Sequence, residues 1–161
     1  MAFLESKFDA DALFDGWAAE LYIQNDDGYI FRANNFFVYH EPSLDRWWML
    51  PWGLDQVWET DLDVSDPVAT MDPASEHGVL SLRCLEIPAC VGRLNEHLLA
   101  IADLAQSAHP HAEAVRLIQQ LAGVSRRDPM SPNSGAEVMW SQNAIADRVR
   151  GRPGQVRRQV P

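Results

Sequence analysis

The segment from Asn25 to Trp58, NDDGYIFRANNFFVYHEPSLDRWWMLPWGLDQVW, restricts the fold more than any other part of this 161-residue chain. Its runs NFFVYH and RWWML are rich in aromatic and β-favouring residues, and the EPSLD between them has Pro42 and Asp45 for a turn. This pattern predicts a β-hairpin over Asn35–His40 and Arg46–Leu50. Pro51 stops the second strand, and Gly53 lets the backbone turn tightly before Asp55. An acidic turn (Asp26, Asp27, Gly28) and a paired amide (Asn34, Asn35) precede the hairpin. Carboxylates and amides on loops held by a rigid hairpin can form a divalent-cation and phosphate site.

Around this segment the chain reads as helical. From Asp9 to about Gln24, Leu13, Phe14, Trp17, Ala18, Leu21 and Tyr22 recur at helical spacing, with Asp9 or Asp11 as cap. Residues 59–78 are acidic, carry two prolines and lack periodicity, so they read as a long surface loop. Helices are expected from Val79, over Ala89–Ala108 and over Ala112–Ala122. A loop at Gly123–Gly135 then leads to a helix over Ala136–Arg150 and a short basic tail, GRPGQVRRQVP. The expected fold class is α+β and mostly helical, in a single domain.

Charge narrows the partners. Residues 1–76 hold 16 Asp and Glu against 3 Lys and Arg, whereas residues 77–161 hold 7 against 10. An acidic first half argues against nucleic acid, whose phosphates are gripped by Lys and Arg, and suits a cation-binding site or a solvated acidic face. No apolar run reaches the roughly 20 residues of a membrane span. The start MAFLESKFDADALF has acids where a signal peptide would be basic and then apolar, so the compartment stays unassigned. Cys84 and Cys90 do not make a disulfide framework and read as buried or incidental thiols.

The succession of an amphipathic helix, NDDGY, ANNFFVYHEP, RWWMLPWGLDQVW and a helical remainder closing on IADRVRGRPGQVRRQV resembles the C-terminal part of the CotH kinase family, the spore-coat-protein-H-like atypical protein kinases. The resemblance implies a protein-kinase-like C-lobe with a short β-hairpin beside the active-site loops. It also implies an ATP-dependent Ser/Thr protein kinase region using Mg²⁺ or Mn²⁺, with a protein hydroxyl as acceptor. Asp27 then corresponds to the catalytic-loop acid, Asn34 or Asn35 to the metal-binding amide, with Asn35 preferred, and Asp55 to the metal-binding acid. Phosphoryl transfer asks for this division, because its loose transition state needs positioning and charge neutralisation more than covalent help.

Two departures qualify the resemblance. Many members carry Asp directly after the Trp of the second turn, where this chain has Gly53 and keeps only Asp55. There is also no glycine-rich phosphate loop, and twelve of the thirteen basic residues are Arg; the one Lys, Lys7, precedes the first helix. The expectation is a partial domain over 1–161 that lacks the N-terminal nucleotide-binding lobe and transfers phosphate poorly alone. The alternative is a non-catalytic, pseudokinase-like binding or scaffold domain of spore coat or cell surface.

Plainer roles compete at each position. Asp27 can simply start a turn, with Asp26 its solvated neighbour; Asn34 and Asn35 can cap strand ends, and Asp55 can be an N-cap. Most of Phe36, Phe37, Tyr39, Trp47, Trp48, Trp52 and Trp58 are expected in the core or in cross-strand pairs. Asp61, Asp63, Ser65, Asp66 and Asp72 echo a calcium loop, but without its central Gly and closing Glu a flexible acidic loop is the better account. His109 and His111 read as turn residues at a helix junction. Arg148, Arg150, Arg152, Arg157 and Arg158 read as favourable charge at a helix C-terminus followed by a solvated tail.

Overall fold

A computed structural model of the chain describes residues 1–58, 63–68, 76–107 and 110–161, with backbone alone at 110 and 111. The fold is α+β and mostly helical, as expected. Its elements in order are α1 (Ala2–Lys7), α2 (Ala10–Tyr22), α3 (Tyr29–Arg32), β1 (Phe36–Glu41), β2 (Arg46–Pro51), α4 (Val79–Leu85), α5 (Pro88–Ser107), α6 (Pro110–Ser125) and α7 (Gly135–Gln159).

Helix α2 is the centre of the core. Asp9 caps it by accepting from the Ala12 N–H, and Leu13, Phe14, Trp17, Ala18 and Leu21 bury one face at helical spacing. That face meets Cys90, Leu94, Leu98, Ala102 and Ala105 of α5. Burying side chains of this size stabilises by roughly 1.5–3 kcal/mol each, so α2 and α5 carry much of the fold. At the edge of this contact Arg93 donates to Glu5 and Asp11, and His97 meets Asp15 at 2.7 Å.

The hairpin has the expected antiparallel form, with Tyr39 opposite Trp48 and His40 opposite Trp47. It is docked by Arg46, whose guanidinium donates to the Glu5 and Phe8 carbonyls. Its aromatics depart from expectation in their burial. Phe36 and Trp58 pack against the core, but Phe37 is 62% exposed and Trp52 49%, and their rings stack on each other 5.9 Å apart. A two-stranded sheet can bury at most one face. The core here covers only part of it, so cross-strand pairing takes the rest.

Three further expectations need correction. Cys84 and Cys90 form a disulfide, with Cα atoms 5.2 Å apart across the corner between α4 and α5. The loop before α4 is not wholly superficial, because Val64 is 3% exposed in the main core and its N–H donates to Gln159. The basic tail is only partly solvated. α7 continues through Pro153 to Gln159 because Val156 and Val160 bury against the main core, and Arg152 is 1% exposed.

A smaller cluster of Val115, Ala146 and Val149 joins α6 to α7, with half-buried Trp58 packed against both clusters. Of the acidic loop, Asp63 accepts from the Ser65 N–H and hydroxyl as a local turn. Asp61, Asp72, His109 and the His111 side chain lie outside the described residues.

Candidate functional site

The chain between Ile23 and Trp58 leaves the helical body and returns to it, and backbone bonds tie it shut twice. The Trp52 N–H donates to the Asn35 carbonyl at 2.9 Å, and the Trp58 N–H donates to the Ile23 carbonyl at 3.1 Å. The acidic turn, the paired amides and the Gly53–Asp55 turn therefore belong to one closed unit. Helix α7 anchors its root. Arg152 donates from Nε to the Tyr22 carbonyl at 2.9 Å and from Nη2 to the Leu21 carbonyl at 2.6 Å, satisfying the bare C-terminal end of α2, while Arg148 donates to the Trp58 carbonyl.

Within the unit the Asp27 carboxylate is gripped from both sides. Asn34 Nδ2 donates to Oδ1 at 3.1 Å and Asn35 Nδ2 to Oδ2 at 2.7 Å. Asp27 is half-buried, Asn34 exposed and Asn35 buried. With its Nδ2 turned to Asp27, Asn35 leaves Oδ1 facing Gly53, where an added Cβ would stand 3.2 Å away. Gly53 lies at φ +66°, where a side chain is disfavoured, so backbone and close packing on Asn35 both favour glycine here. Asp55 is exposed midway between the two ties and makes no hydrogen bond or ion pair with another described residue.

Oxygen donors from a carboxamide and carboxylates suit Mg²⁺ or Mn²⁺ rather than a soft metal. Among the described residues no group of three or more His, Cys, Asp or Glu side chains converges as a ready metal cage. Asp27, Asn34 and Asn35 are brought into direct contact; Asp55 shares the closed unit without touching them.

Backbone strain gathers here. Gln24, Ala33, Asn35 and Trp58 all have positive φ, at 58°, 48°, 53° and 64°, and they stand at the joints of the unit. Non-glycine residues in this region cost of order 1–3 kcal/mol each, a pattern that clusters at functional sites.

Sequence reasoning missed two buried residues beneath the turn. Glu20 of α2 is 4% exposed and accepts from the Tyr29 and Ile30 N–H groups, each at 3.4 Å. Burial pushes its carboxyl up to about 7 against the two bonds, which pull it down. Asn25 is fully buried, and neither side-chain polar atom has a partner among the described residues. For Glu20 the signal was the spacing: it follows Trp17 by three on the buried face of α2, where a solvated side chain does not belong.

Comparison with known protein families gives a match. The family described as CotH kinase protein fits residues 2–153, nearly the whole chain and all of the closed unit. No curated protein matches.

Proposed function

The chain belongs to the CotH kinase family, and on that premise we propose that the closed unit is the acid and metal side of a phosphoryl-transfer site. The observation that supports this reading is the Asp27 carboxylate fixed by two neighbouring amides within the family-matched span. Held in one orientation, Asp27 is suited to accept the proton of a Ser or Thr hydroxyl on a protein substrate and to aim that oxygen. Asn35 Oδ1 and Asp55 would hold Mg²⁺ or Mn²⁺, with ATP as phosphoryl donor. When bound, the cation supplies neutralisation of the phosphate charge. Trp52, Gly53 and the Asn35 backbone keep the metal side in register with Asp27.

The region corresponds to a kinase-like C-lobe in this reading. Phosphates also need a cradle of backbone N–H groups and a cation from an N-terminal lobe, which is not part of these 161 residues as the reading assigns them. Turnover by the chain alone is therefore expected to be weak, and ligand binding is the sharper test. Thermal unfolding with Mn²⁺ and ATP together is expected to raise Tm above either ligand alone. Asp55→Ala should abolish that shift, and Asp27→Ala should retain it while losing whatever phosphate incorporation into a Ser-rich acceptor the wild type shows. Absence of a shift by either ligand, with the N-terminal lobe restored, would overturn the reading in favour of a scaffold that keeps the fold without nucleotide.

A further inference from the structure

We infer that Glu20 is the positioning residue of the Asp27 turn: from inside α2 it fixes the backbone on both sides of Asp27 and so sets the aim of that carboxylate on Asn34 and Asn35. The functional consequence rests on the phosphotransfer reading; the positioning itself does not. Three backbone N–H groups that bracket Asp27 end on this one residue. Asn25 donates to the Glu20 main-chain carbonyl at 2.9 Å, and Tyr29 and Ile30 donate to its side-chain oxygens. The turn is wrapped tightly over the carboxylate. A Cβ on Gly28 would lie 2.8 Å from Glu20 Cδ and 2.7 Å from Asn25 Nδ2, so residue 28 must be glycine for contact reasons, although its φ of −86° suits any residue.

Energetics make a merely incidental Glu20 implausible. A buried carboxylate costs several kcal/mol unless compensated, and desolvation, not a cationic partner, dominates its titration here. A leucine would bury at a gain, but it would leave the Tyr29 and Ile30 N–H groups bare and the turn unheld. Tyr29, whose phenol accepts from the Leu80 N–H, is the titratable side chain facing Glu20 from α3. His77 also stands at α3, meeting the Phe31 carbonyl through Nδ1, and Arg32 is the charged side chain of α3 itself.

The test is ¹⁵N NMR on the full chain, comparing wild type with Glu20→Gln, together with Mn²⁺-ATP affinity. Positioning predicts that the Asn34 and Asn35 side-chain NH₂ signals move along with the Tyr29 and Ile30 amides, while Mn²⁺-ATP binding is retained, as it is for Asp27→Ala. If only Tyr29 and Ile30 move, Glu20 is a local cap and the inference fails. If wild type binds no Mn²⁺-ATP with the N-terminal lobe restored, the phosphotransfer reading fails, while the Asn34 and Asn35 signals still decide positioning. Should Glu20→Gln not fold, a pH titration of the wild type decides: Tyr29, Ile30 and the Asn35 NH₂ should share one midpoint near 7, preserved in His77→Gln. Separate midpoints would overturn the inference.

Discussion

At the scale of single residues, Gly53 decides most. An Asp at this position would place a carboxylate beside Asn35, yet it would have to adopt φ +66° with its Cβ 3.1 Å from the Asn35 side chain. Left-handed backbone and crowding together cost of order 1–3 kcal/mol. Gly53→Asp is therefore expected to lower stability by about 1–2 kcal/mol and to weaken Mn²⁺ binding by displacing Asn35. Urea denaturation and a Mn²⁺ titration check both halves. A tighter Mn²⁺ site in this variant would show that Gly53 marks a lost ligand instead of a turn packed on Asn35.

At the scale of elements, the hairpin and α2 were legible from sequence because each carries its own periodicity, two for NFFVYH and RWWML and about 3.6 for Leu13, Trp17 and Leu21. The end of α7 was not. GRPG is turn chemistry taken locally, and only packing of Val156 and Val160 against α2 and α5 makes it helical. The short α3 was missed because YIFR is held by Glu20 and a left-handed Ala33, neither of which leaves a periodic trace. The paired amides and the acidic turn stood out in the residues themselves and a family resemblance gave them roles, whereas Glu20 sat unnoticed within a helix that looked complete without it. Arg152 gives the element-scale prediction. Its bonds to the Leu21 and Tyr22 carbonyls are buried and charge-assisted, so Arg152→Ala should cost about 3 kcal/mol. Arg157→Ala, removing the largely exposed pair with Asp103, should cost under about 1 kcal/mol. Equal losses by chemical denaturation would return α7's end to the role of a solvated tail.

At the scale of the whole molecule, Glu20 makes stability depend on pH. Its carboxyl stands at about 7 in the folded chain against an ordinary 4.5, so the native state keeps a proton that the unfolded state gives up in between. Stability from this group is fully present below about pH 4.5 and is lost as pH rises to about 7, an effect of about 3 kcal/mol. Glu20→Gln should flatten that slope and leave the variant relatively more stable at pH 8 than at pH 5. Denaturation at the two pH values measures it, and a slope unchanged by the substitution would remove Glu20 as its source. The exposed Asp11 carboxylate acts in the opposite direction, since Arg93 holds it below the usual carboxylate range.

Arg152 reaches back 130 positions to Tyr22. During synthesis the acidic turn and the hairpin leave the ribosome long before the side chain that secures their root. Until then the Leu21 and Tyr22 carbonyls lack their guanidinium partner, and loop closure over such a separation is slow to repay its entropy. The unit around Asp27 is thus an early-made and late-locked part of the chain. Its ability to take a ligand should appear only after the final turns of α7 are in place.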